Sequence, residues 1–198
     1  MESKYLREDK TYHWRENNEP FYDFVYENFL DWPCTSVQWG PLLQENNECS
    51  QQRVYFSCRT DGVYNPVDNT WTNNPNYIVI ANVEMPNEDR YFINDLKHIF
   101  NYDSAKKHPN LKIKHIICHP GEVCVLRSSP ANRKLVASKS DNNSVYLWTS
   151  EKYKPTTVNN MANSSDYVLQ TTLSKNPNFA LRFAPTLPKL ISASENVL

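Results

Sequence analysis

The side chains best suited to chemistry in this sequence are Cys118, His119 and Cys124, with His115 close by. Thiolates and imidazoles are zinc ligands, and a thiol beside an imidazole is also the core of a nucleophilic pair. Neither chemistry fits the spacing. Cys118 and His119 are adjacent, and adjacent residues on a strand point to opposite faces. No Cys-x-x-Cys partner accompanies them. Nothing marks a third group that would orient the imidazole for covalent catalysis. With 3 Gly in the chain, no glycine-rich phosphate loop can be assembled. His13, His98 and His108 stand in polar surroundings and read as solvated. The expectation is therefore a protein without a catalytic centre, a metal or a cofactor.

The elements around these residues read as sheet. The chain has 198 residues, enough for one domain with a sizeable core. Hydrophobic residues make up 39% and charged residues 22%, which fits a globular chain rather than a disordered one. The 12 Tyr and 5 Trp suit half-buried strands. A formal net charge of −1 argues against naked nucleic acid as the main partner, because phosphate binding needs a basic surface. It leaves room for a basic protein partner. The 5 Cys are odd in number and irregular in spacing, and read as reduced intracellular thiols. The first ten residues lack the apolar region of a signal peptide, and no run approaches the roughly 18 apolar residues of a membrane span. The triplets Asn142-Asn143-Ser144 and Asn163-Ser164-Ser165 then read as chance matches to a glycosylation signal.

Along the chain, residues 3–18 are highly charged and predict one polar helix. Glu19-Pro20 breaks it, since Pro suits the first position of a new helix. Phe21, Phe24, Val25, Asn28 and Phe29 fall at helical spacing, so a short amphipathic helix is expected to end near Leu30. Asp31-Trp32-Pro33 stops it, because the residue before Pro avoids the α region. Strands are expected at Thr35–Trp39, Arg53–Arg59, Tyr77–Val83, Leu111–Cys118, Glu122–Arg127, Lys134–Ser138, Ser144–Trp148, Asp166–Thr172, Phe179–Phe183 and Lys189–Ala193. Residues 61–76 and 87–110 read as long loops, the second with a helical turn or two within Tyr91–Phe100. With so little Gly, Asn is expected to take the positive-φ turn positions.

The strands repeat. Glu122–Pro130, Lys134–Ser138 and Ser144–Trp148 form one unit, and Phe179–Pro185 with Lys189–Ser194 begins the next in the same order. Thr35–Pro41 opens an earlier copy. Unit starts lie roughly 50 to 90 residues apart, long beside the usual period of about 40 to 45, with the excess in the two long loops. This is the blade order of a β-propeller. The expected fold is all-β: an N-terminal helical segment over residues 1–32, blade one over 33–118, blade two over 119–173 and the start of a third over 174–198. Propellers typically need about 4 to 8 blades to close. About two and a half blades therefore suggest a fragment, a truncated product, or one part of something that pairs.

Phe21-Tyr-Asp-Phe-Val-Tyr-Glu-Asn-Phe-Leu-Asp-Trp-Pro33, followed by Ser36-Val-Gln-Trp39, resembles the opening segment of the Msi1-like, retinoblastoma-binding histone chaperones. Tyr77–Asp89 is similar to that family's Val-Ile-Ala strand and Leu-Pro-Asn-Asp turn. His119-Pro-Gly-Glu-Val123 is similar to its His-Glu-Gly-Glu-Val, and Leu190–Ser194 to its Leu-Leu-Ser-Ala-Ser. The fragments occur in the family's order and cover its N-terminal half. The resemblance implies a seven-bladed WD-repeat propeller with a flanking N-terminal helix. It also implies core histones as partners, shared membership of chromatin assembly, acetyltransferase, deacetylase and methyltransferase complexes, no direct nucleic-acid or membrane binding, and no chemistry of its own. The implied compartment is the nucleus, with the cytoplasm as a second one.

Two sites follow from that resemblance. A histone helix would lie against the N-terminal helix, where Phe21, Phe24 and Val25 supply an apolar wall and Glu27, with Tyr12 nearby, meets the basic flank. Equally, Phe24, Val25 and Phe29 could simply pack that helix on the propeller side, which leaves Phe21 as the exposed one. On the flat face, Asp31 and Glu122 stand where the family carries acids that hold basic peptides; they could also be solvated or strand-capping acids. Departures weaken this second site. Cys124 replaces an Asn, Pro177 stands where a Glu is expected, Phe179 replaces a Tyr, and Arg59 replaces a His.

Overall fold

In the computed structural model, the described residues are 30–47, 49–86, 111–153, 161–170 and 180–193. The expected helices before Leu30, the turn within Tyr91–Phe100, and Phe179 lie outside them. Every regular element among the described residues is a strand.

The first sheet is built from β1 (Cys34–Glu45), β2 (Cys49–Cys58), β5 (Tyr77–Pro86) and β6 (Leu111–Cys118), hydrogen-bonded side by side in that order. A small hairpin, β3 (Val63–Asn65) with β4 (Thr70–Thr72), is inserted between β2 and β5. The second sheet is an antiparallel meander of β7 (Val123–Ser128), β8 (Leu135–Ser140), β9 (Ser144–Thr149) and β10 (Tyr167–Gln170). A third begins with β11 (Leu181–Phe183) and β12 (Leu190–Ser192).

The apolar pattern explains the stacking. In β2 and β5 consecutive residues are buried: Tyr55, Ile78 and Ile80 point one way, Val54, Phe56, Val79 and Ala81 the other. A strand covered on one face only would alternate apolar with polar; a continuous apolar run marks a strand covered on both. The first face of this sheet packs on Val123, Leu126, Val136, Tyr146 and Trp148 of the second. The other face is covered in part by Leu30 and Trp32. The second sheet in turn packs Val125, Ala137 and Val145 on Leu181 and Phe183 of the third. Sheets thus follow one another face to face, the second sandwiched between the first and the third, which is the layering of propeller blades.

The leading strands of successive sheets are stitched directly. Thr35 Oγ1 donates to the Val123 carbonyl at 2.8 Å, and the Leu126 N–H donates to Ser36 Oγ at 3.0 Å. Ser128 Oγ donates to the Trp39 carbonyl at 2.7 Å and Arg133 to the Leu42 carbonyl at 2.8 Å. Lys139, almost wholly buried, spans the next junction to the Ala193 carbonyl at 2.5 Å.

Most expected strands recur with shifted ends. β1 runs on past Trp39 through Pro41 to Glu45. It is an edge strand, where a missing Pro donor is tolerated, and its pairing with β2 shifts register on either side of Leu42. The segment 61–76, read as a loop, contains the β3–β4 hairpin. Asn69, Asn73 and Asn143 adopt φ of 54°, 62° and 62°, so Asn does fill left-handed turn positions. Gly121, with φ 89°, takes another.

Candidate functional site

His119 lies in the turn between β6 and β7, completely buried, and both its ring nitrogens are engaged. Nδ1 is 3.1 Å from the Gly121 carbonyl and Nε2 is 2.8 Å from Ser138 Oγ. Trp148 Nε1 lies 2.7 Å from the same Oγ. An indole N–H only donates and a carbonyl only accepts, so the roles are fixed along the chain. Trp148 donates to Ser138, Ser138 donates to His119 Nε2, and His119 Nδ1–H donates to Gly121. Aromatic contacts complete the cluster: Tyr146 meets the imidazole edge-on at 5.0 Å, and Tyr153 meets Trp148 at 5.8 Å. Desolvation depresses the His119 pKa to about 4, against the opposing pull of the Gly121 carbonyl. This is a structural brace tying two strands, β8 and β9, to the turn that joins β6 and β7. The residue that looked most chemical in the sequence is thus spent on holding a blade together.

The neighbouring thiols are equally unsuited to nucleophilic work. Burial, followed by the Asp141 and Glu122 charges, pushes Cys124 up to about 11. Burial, eased by a Tyr77 hydrogen bond, pushes Cys58 up to about 11. Both remain protonated at neutral pH, and a thiol is a poor nucleophile beside a thiolate.

Just outside the brace the turn opens into a cleft of about 410 Å³ between the β3–β4 hairpin and the start of β7. Its walls include Arg59, Asp61, Tyr64, Trp71, Glu122 and Asp141. Asp141 positions Glu122 from both sides of the backbone: its carboxylate accepts the Glu122 N–H at 2.8 Å and its own N–H donates to the Glu122 carbonyl at 3.0 Å. The hairpin is fixed by Tyr64 packing on Trp71, with ring centroids 5.2 Å apart, and by a bridge from Thr70 to Met161 of the second sheet's last connection. Thr60 and Asn76 close its base through an N–H bond of 2.7 Å.

Two of the residues singled out in the sequence meet in this cleft. Arg59 Nε stands 3.2 Å from Glu122 Oε2, an ion pair in which the arginine is 60% exposed and the glutamate 26%. Asp31 does not join them; it is exposed ahead of β1, and its charge acts on Cys58 and Tyr77 instead. Phe21, Phe24, Val25, Tyr12, Glu27 and Phe179 lie outside the described residues. Sequence reasoning missed the aromatic hairpin wall. Its available signal was Tyr64 and Trp71 flanking a Pro-Val-Asp-Asn turn, short enough to pass for loop.

Sheets of four antiparallel strands stacked face to face, braced by a buried Trp–Ser–His chain, define a WD-repeat β-propeller, present here in part. A family model that describes the histone-binding protein RBBP4, or a component of the CAF1 complex, matches residues 9–87. The WD-40 repeat-containing protein MSI4 of Arabidopsis thaliana is 31% identical over 190 residues, covering 96% of this chain and 35% of that protein. The chain is therefore similar to the Msi1-like WD-repeat proteins and resembles their N-terminal part. It spans about a third of the length of that curated relative.

Proposed function

We propose that this chain is a histone-binding WD-repeat scaffold of chromatin-associated complexes, acting in the nucleus and catalysing no reaction itself. The observation that carries the reading is the match of residues 9–87 to a histone-binding family, because it joins the N-terminal segment to the first sheet in one unit. In this reading Phe21, Phe24 and Val25 form an apolar wall for a histone helix, with Tyr12 beside it and Glu27 meeting the basic flank. Partners would then include core histones and the other members of chromatin assembly or histone-modifying complexes.

The test is binding of a fluorescent core-histone helix peptide to the full chain. Truncating a central apolar anchor typically costs a binder about 1 kcal/mol or more, so Phe21→Ala should weaken binding about tenfold. Glu27→Lys should weaken it by a similar factor and make the remainder less salt-dependent. Wild-type affinity in both variants would sink the docking surface.

The Arg59–Glu122 pair favours a second reading for the cleft, that of an adaptor whose acidic face no longer takes basic tails. Arg59 lies where a guest arginine would sit, so a guest must first displace it. Arg59→Gln should then strengthen binding of a basic histone-tail peptide by about three- to tenfold, since an exposed pair competes only weakly. Unchanged affinity would show that self-occupation is not what closes the face.

A further inference from the structure

The acids of the cleft lie where β7 begins; the place where it ends is different. A concavity of about 730 Å³ opens there, between the middle of β1 and the far ends of β7 and β11. Arg127, Arg133 and Arg182 line it, and no acid does. Two of the three come from one repeat position: Gln38, Arg127 and Arg182 each stand three residues before Pro41, Pro130 and Pro185 on the leading strands. The stacking of blades therefore converges them on one mouth.

Among the described residues, no carboxylate pairs with any of these arginines; the ion pairs there use Arg59, Lys134 and Lys152. Arg127 spends one N–H on its neighbouring Leu126 carbonyl, at 2.7 Å, and Arg133 one on Leu42. A guanidinium carries five N–H donors, so each keeps several for a guest. In a chain of net charge −1, three uncompensated arginines in one hollow are a local positive field aimed at an anion.

We propose that this mouth docks an acidic peptide segment of a partner protein. Its volume falls within the range of ligand-holding clefts, about 300 to 1,000 Å³, and its walls mix apolar Phe183 and prolines with the three forks, as an extended peptide requires. Duplex DNA fits less well. Its binders typically neutralise about 6 to 10 phosphates, and this chain offers three cations here and no general basic surface.

The probe is a fluorescein-labelled peptide of six glutamates, titrated by anisotropy with the full chain in low salt. Each charge-assisted fork contributes enough that Arg182→Gln alone should weaken binding about three- to tenfold, and Arg127→Gln, Arg133→Gln and Arg182→Gln together about thirtyfold or more. Arg182 makes no side-chain bond among the described residues, so the single variant tests the site without touching the fold; a circular dichroism melt checks the triple one. Absence of peptide binding by the unaltered chain, equal binding by the triple variant, or tighter binding of a short DNA duplex that displaces the peptide would each overturn the proposal.

Discussion

Ser138→Ala should cost the protein roughly 2 to 5 kcal/mol of unfolding free energy. The hydroxyl accepts from Trp148 and donates to His119, and all three side chains are essentially inaccessible to water. Alanine leaves both rings in place and removes the only atom each one addresses on that side. An orphaned buried donor or acceptor costs about 1 to 3 kcal/mol, and here there is one of each. Against a domain stability of about 5 to 15 kcal/mol this is a large fraction. The check is urea unfolding of Ser138→Ala, Trp148→Phe and the double variant. Because Phe removes the same bond from its other end, the double variant should be about 1 to 2 kcal/mol more stable than additive losses predict. Simple additivity would mean that the three side chains are neighbours rather than one chain of bonds.

That brace also shows what the sequence could and could not disclose. Strands buried on both faces announce themselves, because Tyr77–Val83 and Arg53–Arg59 have no competing helical period and are bounded by turn residues. Leu111–Cys118 was legible to the residue. The ends of other strands were not, because they depend on pairing: β1 continues through Pro41 only because β2 is there to accept a shifted register. The role of His119 was hidden for a different reason. Its partner Ser138 lies 19 residues on in the sequence and Trp148 a further 10, on strands whose mutual register sets the distances. A reading by local spacing meets only Cys118 and Cys124 around it, which is why zinc and nucleophilic chemistry suggest themselves there. The Arg59–Glu122 pair stands between these cases. Both residues were marked by resemblance, but their contact arises from the turn in which Asp141 pins Glu122.

The same histidine should make the fold acid-sensitive well before the carboxylates titrate. Unfolded, His119 would ionise near 6.5; folded, burial lowers it to about 4. A depressed folded pKa means that the unfolded chain binds the proton first. The stabilisation is therefore complete above pH 6.5, declines as pH falls from 6.5 towards 4, and is gone below that. A gap of this size corresponds to roughly 3 kcal/mol across the window. His115, also depressed by desolvation and then by Arg53 and Lys114, adds in the same direction. The bonding explains why the proton is excluded. Adding it to Nε2 turns the acceptor of the Ser138 hydroxyl into a donor, so the hydroxyl hydrogen loses its place while the ring gains a charge with no counter-ion. Urea unfolding at about pH 7.5, 6.5, 5.5 and 5.0 should show a slope approaching the uptake of one proton by about pH 5.5. His119→Gln should be less stable throughout and should lose most of that slope. A flat profile over the same range in the unaltered chain would mean that the buried imidazole accepts its proton in place, and that the Ser138 hydroxyl can turn to another acceptor.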